Sequence, residues 1–190
     1  MQNSPIKYVI TGGPCTGKTT LINYLKNLGY QTVPEAASIL IEQEIKLKKN
    51  FPKTHLEPFH KNLIAKQLEL ESKIDLSRAT FIDRSIIDTI AYYNFFKLDL
   101  KSQVISLAKN HKYTKIFILD FLDNYCKTEI RSEDFNTAKI LQSQILNTYK
   151  NYGYNPITVP IMPVEKRADF ILSYIQEYNI NSIKNNFVYL

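Results

Sequence analysis

Cysteine and histidine are scarce in this chain of 190 residues. The two cysteines, Cys15 and Cys126, lie far apart and give no sign of a disulfide framework. The three histidines, His55, His60 and His111, lack the spacing and the cysteine partners of a zinc site. These scarcities argue against a disulfide-stabilised scaffold and against a zinc protein.

Long apolar runs are also missing, since no stretch approaches the roughly 20 residues that a membrane-spanning helix requires. Residues 1–5 are polar and lead directly into a strand-like segment, so we expect no secretory signal peptide. Hydrophobic residues make up 44% of the chain and charged residues 22%, which is typical of globular proteins. We therefore expect a cytoplasmic protein with no integral membrane segment.

Arginine is rare in a chain that is otherwise basic, with a formal net charge of +6 and 24 basic residues. The lysines are spread along the chain without a nucleic-acid-binding motif, which argues against nucleic acid as a partner. The densest basic run, residues 46–53, is typical of a solvated helix end, and an anionic lipid surface is the alternative. A chain rich in lysine keeps arginine where a planar, bidentate donor matters, which draws attention to Arg84 and Arg131.

Residues 12–20 form the most informative stretch, because they fit the pattern G-x-x-x-x-G-K-[ST]. A β-branched, apolar segment precedes this stretch and an amphipathic helical pattern follows it, which is the context of a phosphate-binding loop. The candidate nucleotide-binding residues are Gly12, Gly13, Pro14, Cys15, Thr16, Gly17, Lys18, Thr19 and Thr20.

The chemistry of such a loop follows from its backbone, whose N–H groups point inward and form a nest for phosphate oxygens. Lys18 can reach the outer phosphates and is a candidate catalytic residue, while the Thr19 hydroxyl is a candidate Mg²⁺ ligand. The stretch predicts a protein that binds a nucleoside triphosphate, ATP or GTP, together with Mg²⁺.

Apolar strand segments alternate with helical patterns, which predicts an α/β fold with a five-stranded, mainly parallel sheet and helices on both faces. The expected strands are residues 8–10, 31–34, 79–82, 115–120 and 157–159. The expected helices after the loop helix are residues 36–49, 58–76, 86–95, 101–110, 132–149 and 163–175. With no repeat or linker, we expect a single P-loop NTPase domain over residues 1–190, with a core at about 6–175. The extension 176–190 is predicted as an added strand, a docking tail or a disordered end.

Charged residues follow several strands, and parallel strands bring such residues to one sheet edge where ligands bind. Asp83 is predicted to hold Mg²⁺, directly or through water, or else to cap the next helix. Arg84 is a candidate clamp for a phosphate or an acceptor. Glu35 is a candidate general base, or an acid that favours the following helix. Asp120 is an alternative metal-site acid or a simple strand end.

The irregular residues 121–131 are predicted to form a lid. Arg131 in this segment is a candidate catalytic residue that neutralises charge on a transferred phosphoryl group, with Lys127 in support. The alternative is a surface arginine near a helix start, where the helix dipole disfavours a cation.

In combination, these motifs resemble the small "AAA domain" ATPase/kinase-like P-loop family, which includes ribosylnicotinamide kinase domains and GTP- and phosphoinositide-binding proteins. The resemblance rests on residues 10–19, 33–37, 81–88, 119–131 and 153–167. The segments after strands two and three are also similar to those of deoxynucleoside kinases. The resemblance implies Glu35 as base, Asp83 for Mg²⁺ and Arg84 for substrate or phosphate. The chain is too short for an AAA+ module with a helical lid domain.

Two functions remain open at this point. The first is a Mg²⁺-dependent kinase that transfers the γ-phosphoryl group of ATP to a small nucleoside- or nucleotide-like acceptor. The second is a nucleotide-dependent switch, with GTP or ATP, that recognises an anionic lipid or a protein partner. Asp83 does not begin a D-x-x-G motif, and no N-K-x-D guanine-reading motif occurs, which argues against a Ras-like switch.

Cys15 lies inside the loop, near Lys18 and a helix N-terminus, and both features favour a reactive thiolate. We expect complete alkylation of Cys15 to impair ATP binding, because the added group stands in the phosphate-binding loop. Equilibrium titration with ATP before and after treatment measures the effect, and a Cys15→Ser variant under the same treatment controls for the second thiol. Unchanged affinity of the alkylated protein would contradict the prediction.

Overall fold

The computed structural model describes residues 6–46, 56–122 and 135–187. Five parallel strands form one sheet in the order β2-β3-β1-β4-β5. The strands are β1 Lys7–Thr11, β2 Gln31–Val33, β3 Thr80–Asp83, β4 Lys115–Leu119 and β5 Ile157–Val159. The predicted α/β fold with a five-stranded parallel sheet is confirmed, and all five predicted strands are present.

Seven helices cover the sheet within the described residues. They are α1 Lys18–Asn27, α2 Ala36–Lys46, α3 Leu56–Glu71, α4 Ile86–Phe95, α5 Ser102–Asn110, α6 Phe135–Asn151 and α7 Val164–Phe187. Successive strand residues point to opposite faces, so Val9 packs in a core with α4 and α6, while Tyr8 and Ile10 pack in a second core with α1 and α7. Each face of the sheet is therefore buried beneath helices.

Helix α3 differs from the prediction, because it ends at Glu71 and not near residue 76. Tighter bonds close its last turn, where the N–H groups of Lys73 and Ile74 donate to carbonyls three residues back. Asp75 then accepts from the Ser77 backbone and forms a turn that ends the helical path. Within residues 61–71 of the helix, the most buried positions are Ile64, Gln67 and Glu71, so the predicted face through residues 63, 67, 70 and 74 is rotated from the observed one.

Helix α7 also differs, because it continues through residues 176–187. The prediction of an added strand is therefore wrong for residues 176–187. None of the helices within residues 6–46, 56–122 and 135–187 combines the length and the apolar character that a membrane span requires.

The strand register aligns the carboxyl ends of the central strands at one edge of the sheet. Ile10 lies beside Asp83 of β3 on one side and beside Phe117 of β4 on the other. The phosphate-loop segment begins one residue after β1 ends, so it emerges at the same edge as Asp83 and Arg84. The edge that the sequence predicts for ligand binding therefore carries the loop and the neighbouring strand-end charges.

The opposite edge of the sheet contains a buried ion pair. The Lys7 Nζ atom donates to Glu71 Oε2 at 2.8 Å, and both side chains are largely excluded from solvent. Gln67 and the Tyr113 hydroxyl also donate to Glu71, at 2.9 and 3.1 Å. A single carboxylate on α3 thus satisfies donors from β1, from its own helix and from the segment that leads into β4.

We expect Glu71→Ala to lower the free energy of unfolding by about 3–5 kcal/mol, because it leaves the Lys7 ammonium buried without its partner. Urea denaturation measures the loss. Glu69→Ala is the matched control on the same helix, because Glu69 pairs with Lys66 and Lys73 at the surface and should leave the midpoint nearly unchanged. Equal losses in the two variants would rule out a special role for the buried pair.

Candidate functional site

Two glycines of the loop between β1 and α1 have positive φ angles, which glycine adopts most readily. Gly12 and Gly17 have φ angles of 142° and 83°. A Cβ atom on Gly12 would lie 2.9 Å from the Leu119 carbonyl oxygen, which is too close for a normal contact. The two glycines therefore let the loop turn tightly over the end of β4 before it enters helix α1.

Lys18, the first residue of α1, is folded back over the loop and is 6% exposed. Its Nζ atom donates to the Gly13 carbonyl at 2.7 Å, and the Thr16 hydroxyl donates to the same oxygen at 3.1 Å. Burial, followed by the Arg84 charge, lowers the pKa of Lys18 to about 8, although Asp83 and other carboxylates oppose the shift. The loop thus holds a buried ammonium group next to its own backbone.

Asp83 is fully buried at the end of β3, with one oxygen engaged and one not. Oδ2 accepts from the Thr19 hydroxyl at 3.3 Å, while Oδ1 has no hydrogen-bond partner among the described residues. Burial, followed by the negative charge of Glu35, raises the pKa of Asp83 to about 6. Asp83 does not cap helix α4, because the Ser85 side chain accepts the Ile87 N–H and serves as the cap.

The residues present fit a Mg²⁺ ion. A buried carboxylate oxygen without a partner next to a threonine hydroxyl supplies the hard oxygen ligands that this ion prefers. Across residues 6–46, 56–122 and 135–187, the structure contains no group of three or more His, Cys, Asp or Glu side chains that could hold a metal. A Mg²⁺ ion at Asp83 and Thr19 would therefore need phosphate oxygens and water to complete its coordination, as is usual at nucleotide sites.

Arg84 and Glu35 form an ion pair that joins the ends of β2 and β3. The Arg84 Nε atom donates to Glu35 Oε1 at 2.7 Å, and the Ser38 hydroxyl donates to Oε2 at 2.7 Å. Burial opposes ionisation of Glu35, but the charges of Arg84 and Lys18 and the Ser38 bond outweigh it and lower its pKa to about 2. Both predicted residues meet here, and both oxygens of Glu35 are engaged.

The backbone of Arg84 is itself unusual, because its φ angle is 65° although it is not glycine. Its N–H donates to the Ile10 carbonyl at 3.0 Å, which fixes the turn to the end of β1. The guanidinium lies 5.3 Å from the centre of the Tyr92 ring. A left-handed conformation at a bulky residue costs on the order of 1 kcal/mol, so the contacts of the side chain hold the residue in a strained geometry.

Asp88 is a buried carboxylate that the sequence analysis did not assign to the site. It accepts from the Thr11 hydroxyl, the Tyr149 hydroxyl and the Ser85 N–H, and it lies 3.4 Å from Arg84 Nη1. Burial and the Asp88 charge raise the pKa of Tyr149 well above its usual value, which keeps its hydroxyl a donor. A local signal existed, because serine followed three residues later by an acid is a capping-box pattern.

Two further residues contact the phosphate loop from distant helices. Arg167 on α7 is 3% exposed, and its Nη1 atom donates to the Thr16 carbonyl at 2.7 Å. Its Nε and Nη2 atoms are buried with no hydrogen-bond partner among the described residues. Gln142 on α6 accepts the Gly13 N–H at 2.9 Å. Their helices bring both residues to the loop. Arg167 lies in a segment that carries the family resemblance, but the resemblance assigned it no role, and no motif marks Gln142.

The remaining predicted residues are Arg131, Lys127 and Asp120. Arg131 and Lys127, with most of the predicted lid, lie outside the described residues. Asp120 follows β4, and its backbone N–H donates to the Val159 carbonyl at 3.1 Å. Burial lowers the pKa of Arg167, and the negative charge of Asp120 opposes this shift. Asp120 therefore lies close enough to Arg167 to stabilise its positive charge. Its predicted role as a metal-site acid stays untested.

A phosphate loop between a central parallel strand and a helix, with a buried lysine and a threonine–aspartate pair, defines a P-loop nucleotide-binding protein with a kinase-like fold. The family model described as "AAA domain" matches residues 7–167, and the chain belongs to this family. No curated protein sequence matches the chain.

Solved structures with this fold include several kinases. Thymidylate kinase from Ehrlichia chaffeensis is 16% identical with a TM-score of 0.65, covering 90% of this chain and 99% of that one. Deoxyadenosine kinase from M. mycoides, with dCMP and dCDP bound, is 15% identical with a TM-score of 0.61, covering 91% and 100%. NadR in complex with NR is 14% identical with a TM-score of 0.69, covering 92% of this chain and 51% of that one. At these identities, the likeness shows the fold.

We expect Arg167→Met to weaken triphosphate binding by about tenfold, or about 1.4 kcal/mol, because it removes a buried positive charge beneath the loop. Stability should change by less than about 1 kcal/mol, since loss of the Thr16 bond is offset by removal of two buried nitrogen donors that have no partner among the described residues. Titration with a fluorescent triphosphate and urea denaturation measure the two quantities.

The neighbouring Lys166→Met variant is the matched control, because Lys166 is exposed on the same helix and should change neither quantity. A large loss of stability in Arg167→Met with unchanged affinity would show that the residue supports the fold alone.

Proposed function

We propose that this protein is a Mg²⁺-dependent small-molecule kinase that transfers the γ-phosphoryl group of ATP to a nucleoside- or nucleotide-like acceptor. The observation that carries the proposal is the Arg84–Glu35 pair, which lies at the same sheet edge as the phosphate loop. A protein that only bound or hydrolysed a triphosphate would need the loop and the metal site, but would not need a second charged pair beside them.

The donor side of the reaction belongs to the loop. Its backbone N–H groups and Lys18 would hold the triphosphate and offset negative charge on the transferred group. Thr19 and Asp83 would hold Mg²⁺, which supplies electrostatic stabilisation of the phosphates. The partly neutral character of Asp83 near its pKa of about 6 would give way to full ionisation beside a divalent cation.

The acceptor side belongs to Arg84 and Glu35. The guanidinium of Arg84 can bind an acceptor phosphate or hydroxyl while Glu35 and Asp88 hold it in place. A carboxylate with a pKa of about 2 is a weak general base at neutral pH. Glu35 therefore acts by accepting a hydrogen bond from the acceptor hydroxyl and takes its proton late. Such a role suits phosphoryl transfer, whose loose transition state needs little help from a base.

Three further assignments belong to the same proposal. Arg131, from the predicted lid, would neutralise charge during transfer. ATP is the preferred donor, with GTP as the alternative, and the cytoplasm is the proposed compartment.

The switch hypothesis places an anionic partner at residues 46–53, of which the structure describes Lys46 alone, and no described contact favours that hypothesis.

Acceptor-stimulated release of ADP tests the proposal. We expect ATP turnover to rise at least tenfold with one member of a panel of nucleosides and nucleoside monophosphates, and to fall to background when EDTA removes Mg²⁺. Glu35→Gln should lower kcat about 100-fold while the affinity for ATP stays within about twofold, because the neutral carboxamide can still accept a hydrogen bond but cannot take the proton of the acceptor hydroxyl.

Lys18→Ala is the contrasting variant, since it should weaken triphosphate binding as well as turnover. Nucleotide-dependent binding to anionic vesicles without acceptor-stimulated turnover would support the switch and overturn the kinase. Wild-type turnover in Glu35→Gln would remove Glu35 from the mechanism and leave the nucleotide site unaffected.

A further inference from the structure

Arg167 binds one particular peptide group of the phosphate loop. Its Nη1 atom donates to the Thr16 carbonyl oxygen at 2.7 Å. That oxygen belongs to the peptide that joins Thr16 to Gly17, so the N–H of the same peptide is that of Gly17. A trans peptide is planar, with its C=O and N–H groups pointing in opposite directions, and the described residues contain no cis peptide. The bond that holds the Thr16 carbonyl toward α7 therefore turns the Gly17 N–H away from α7.

Gly17 has little of its own to hold this peptide in place. It carries no side chain, its φ angle is 83°, and glycine rotates about its backbone more freely than any other residue. The guanidinium also fills the space beside it, because a Cβ atom on Gly17 would lie 3.3 Å from Arg167 Nη1 and 3.5 Å from Leu122 Cδ1. Arg167 thus restrains a peptide that a glycine would otherwise leave free to turn.

The hydrogen bonding of Arg167 is directed at this peptide alone within residues 6–46, 56–122 and 135–187. The Thr16 carbonyl is its acceptor there, and the Nε and Nη2 atoms have none. The side chain is buried, so water screens its charge weakly. A charge-assisted bond to a carbonyl polarises the whole peptide, and the N–H of that peptide becomes a stronger donor.

The position of the Gly17 N–H shows what it would bind. Gly17 is the N-cap of α1, so this N–H lies at the positive end of the helix dipole, where anions bind. In a loop of this pattern, the backbone N–H groups cradle the α- and β-phosphates of the nucleotide. ADP and ATP carry both of these phosphates.

We propose that Arg167 is a positioning residue that holds and polarises the Thr16–Gly17 peptide, so that the Gly17 N–H donates to an α- or β-phosphate oxygen. Arg167 acts from the opposite end of this peptide and does not touch the nucleotide. Its effect therefore depends on the diphosphate part of the ligand, and the base, the ribose and the γ-phosphate add nothing to it.

This inference rests on the proposed use of ATP, but it concerns equilibrium binding and not phosphoryl transfer. Loss of Arg167 should weaken ADP, a non-hydrolysable ATP analogue and inorganic pyrophosphate by the same factor. A long-range effect of the lost charge would instead weaken the ATP analogue more than ADP, because the analogue carries more negative charge. A residue that bound the base or the ribose would leave the affinity for pyrophosphate unchanged.

The experiment measures these three dissociation constants by displacement of a fluorescent triphosphate from wild type, Arg167→Met and Arg167→Lys. We expect each constant to rise about tenfold in Arg167→Met, with the three factors agreeing within about twofold. Lys166→Met is the matched control, because Lys166 is exposed on the same helix, and it should leave all three constants unchanged.

The Gly17 amide reports the hydrogen bond directly by nuclear magnetic resonance. The chain has 5 glycines, so isotopic labelling of glycine nitrogen gives few resonances, and an amide nitrogen shifts when the carbonyl of its peptide loses a hydrogen bond. We expect the Gly17 nitrogen resonance to move upfield in Arg167→Met. The resonances of Gly29 and Gly153, which follow α1 and α6, should stay in place and confirm that the variant is folded.

Arg167→Lys separates the bond from the charge, because it keeps the charge on a side chain that is one atom shorter. Its affinity for ADP should follow its Gly17 resonance, both like wild type or both like Arg167→Met. Disagreement between the two readouts in Arg167→Lys would overturn the inference, as would unequal factors or unchanged affinity in Arg167→Met. The expected factors and shifts together with an absence of acceptor phosphorylation would overturn the kinase proposal and leave the role of Arg167 intact.

Discussion

One buried carboxylate, Asp88, holds the two halves of the site together. It accepts from Thr11 at the end of β1, from the Ser85 N–H that opens α4 and from Tyr149 on α6. It also lies beside the Arg84 guanidinium. A carboxylate buried in such surroundings is tolerable only when its oxygens are engaged by donors. The strand that leads into the phosphate loop and the arginine proposed to bind the acceptor therefore depend on the same side chain.

The electrostatics of the site follow from this crowding of charges at the sheet edge. Lys18 and Arg84 are placed among Glu35, Asp83 and Asp88, so the pKa values of Lys18, Glu35 and Asp83 depend on one another. Burial and the Glu35 charge raise the pKa of Asp83, whereas the charges of Arg84 and Lys18 outweigh burial and lower the pKa of Glu35. Two carboxylates on neighbouring strands thereby acquire different chemistry, one suited to a cation and one to a hydrogen-bonded acceptor.

The sequence was sufficient for the features that depend on local pattern and on sheet topology. Apolar strands and the glycine loop predicted the five strands and the edge at which Glu35, Asp83 and Arg84 converge. The end of α3 was misplaced, because apolar spacing continues past the turn at Asp75 that stops the helix. The contacts of Gln142 and Arg167 with the loop could not be predicted, since each is made through the packing of a whole helix, and the resemblance that covers Arg167 assigned it no role. Asp88 could have been found from its capping-box spacing.

Helix α6 carries both Gln142, which contacts the phosphate loop, and Tyr149, which contacts Asp88. Gln142 and Tyr149 are seven residues apart, which is two turns or about 10 Å along one face of a rigid rod. A rotation of the helix that frees the carboxamide from the loop also moves the tyrosine against Ser85 and Asp88. In the proposed kinase, the two substrates would therefore not bind independently. Steady-state kinetics would show one substrate changing the apparent affinity for the other. The stiffness of a single helix would then couple the two halves of the site.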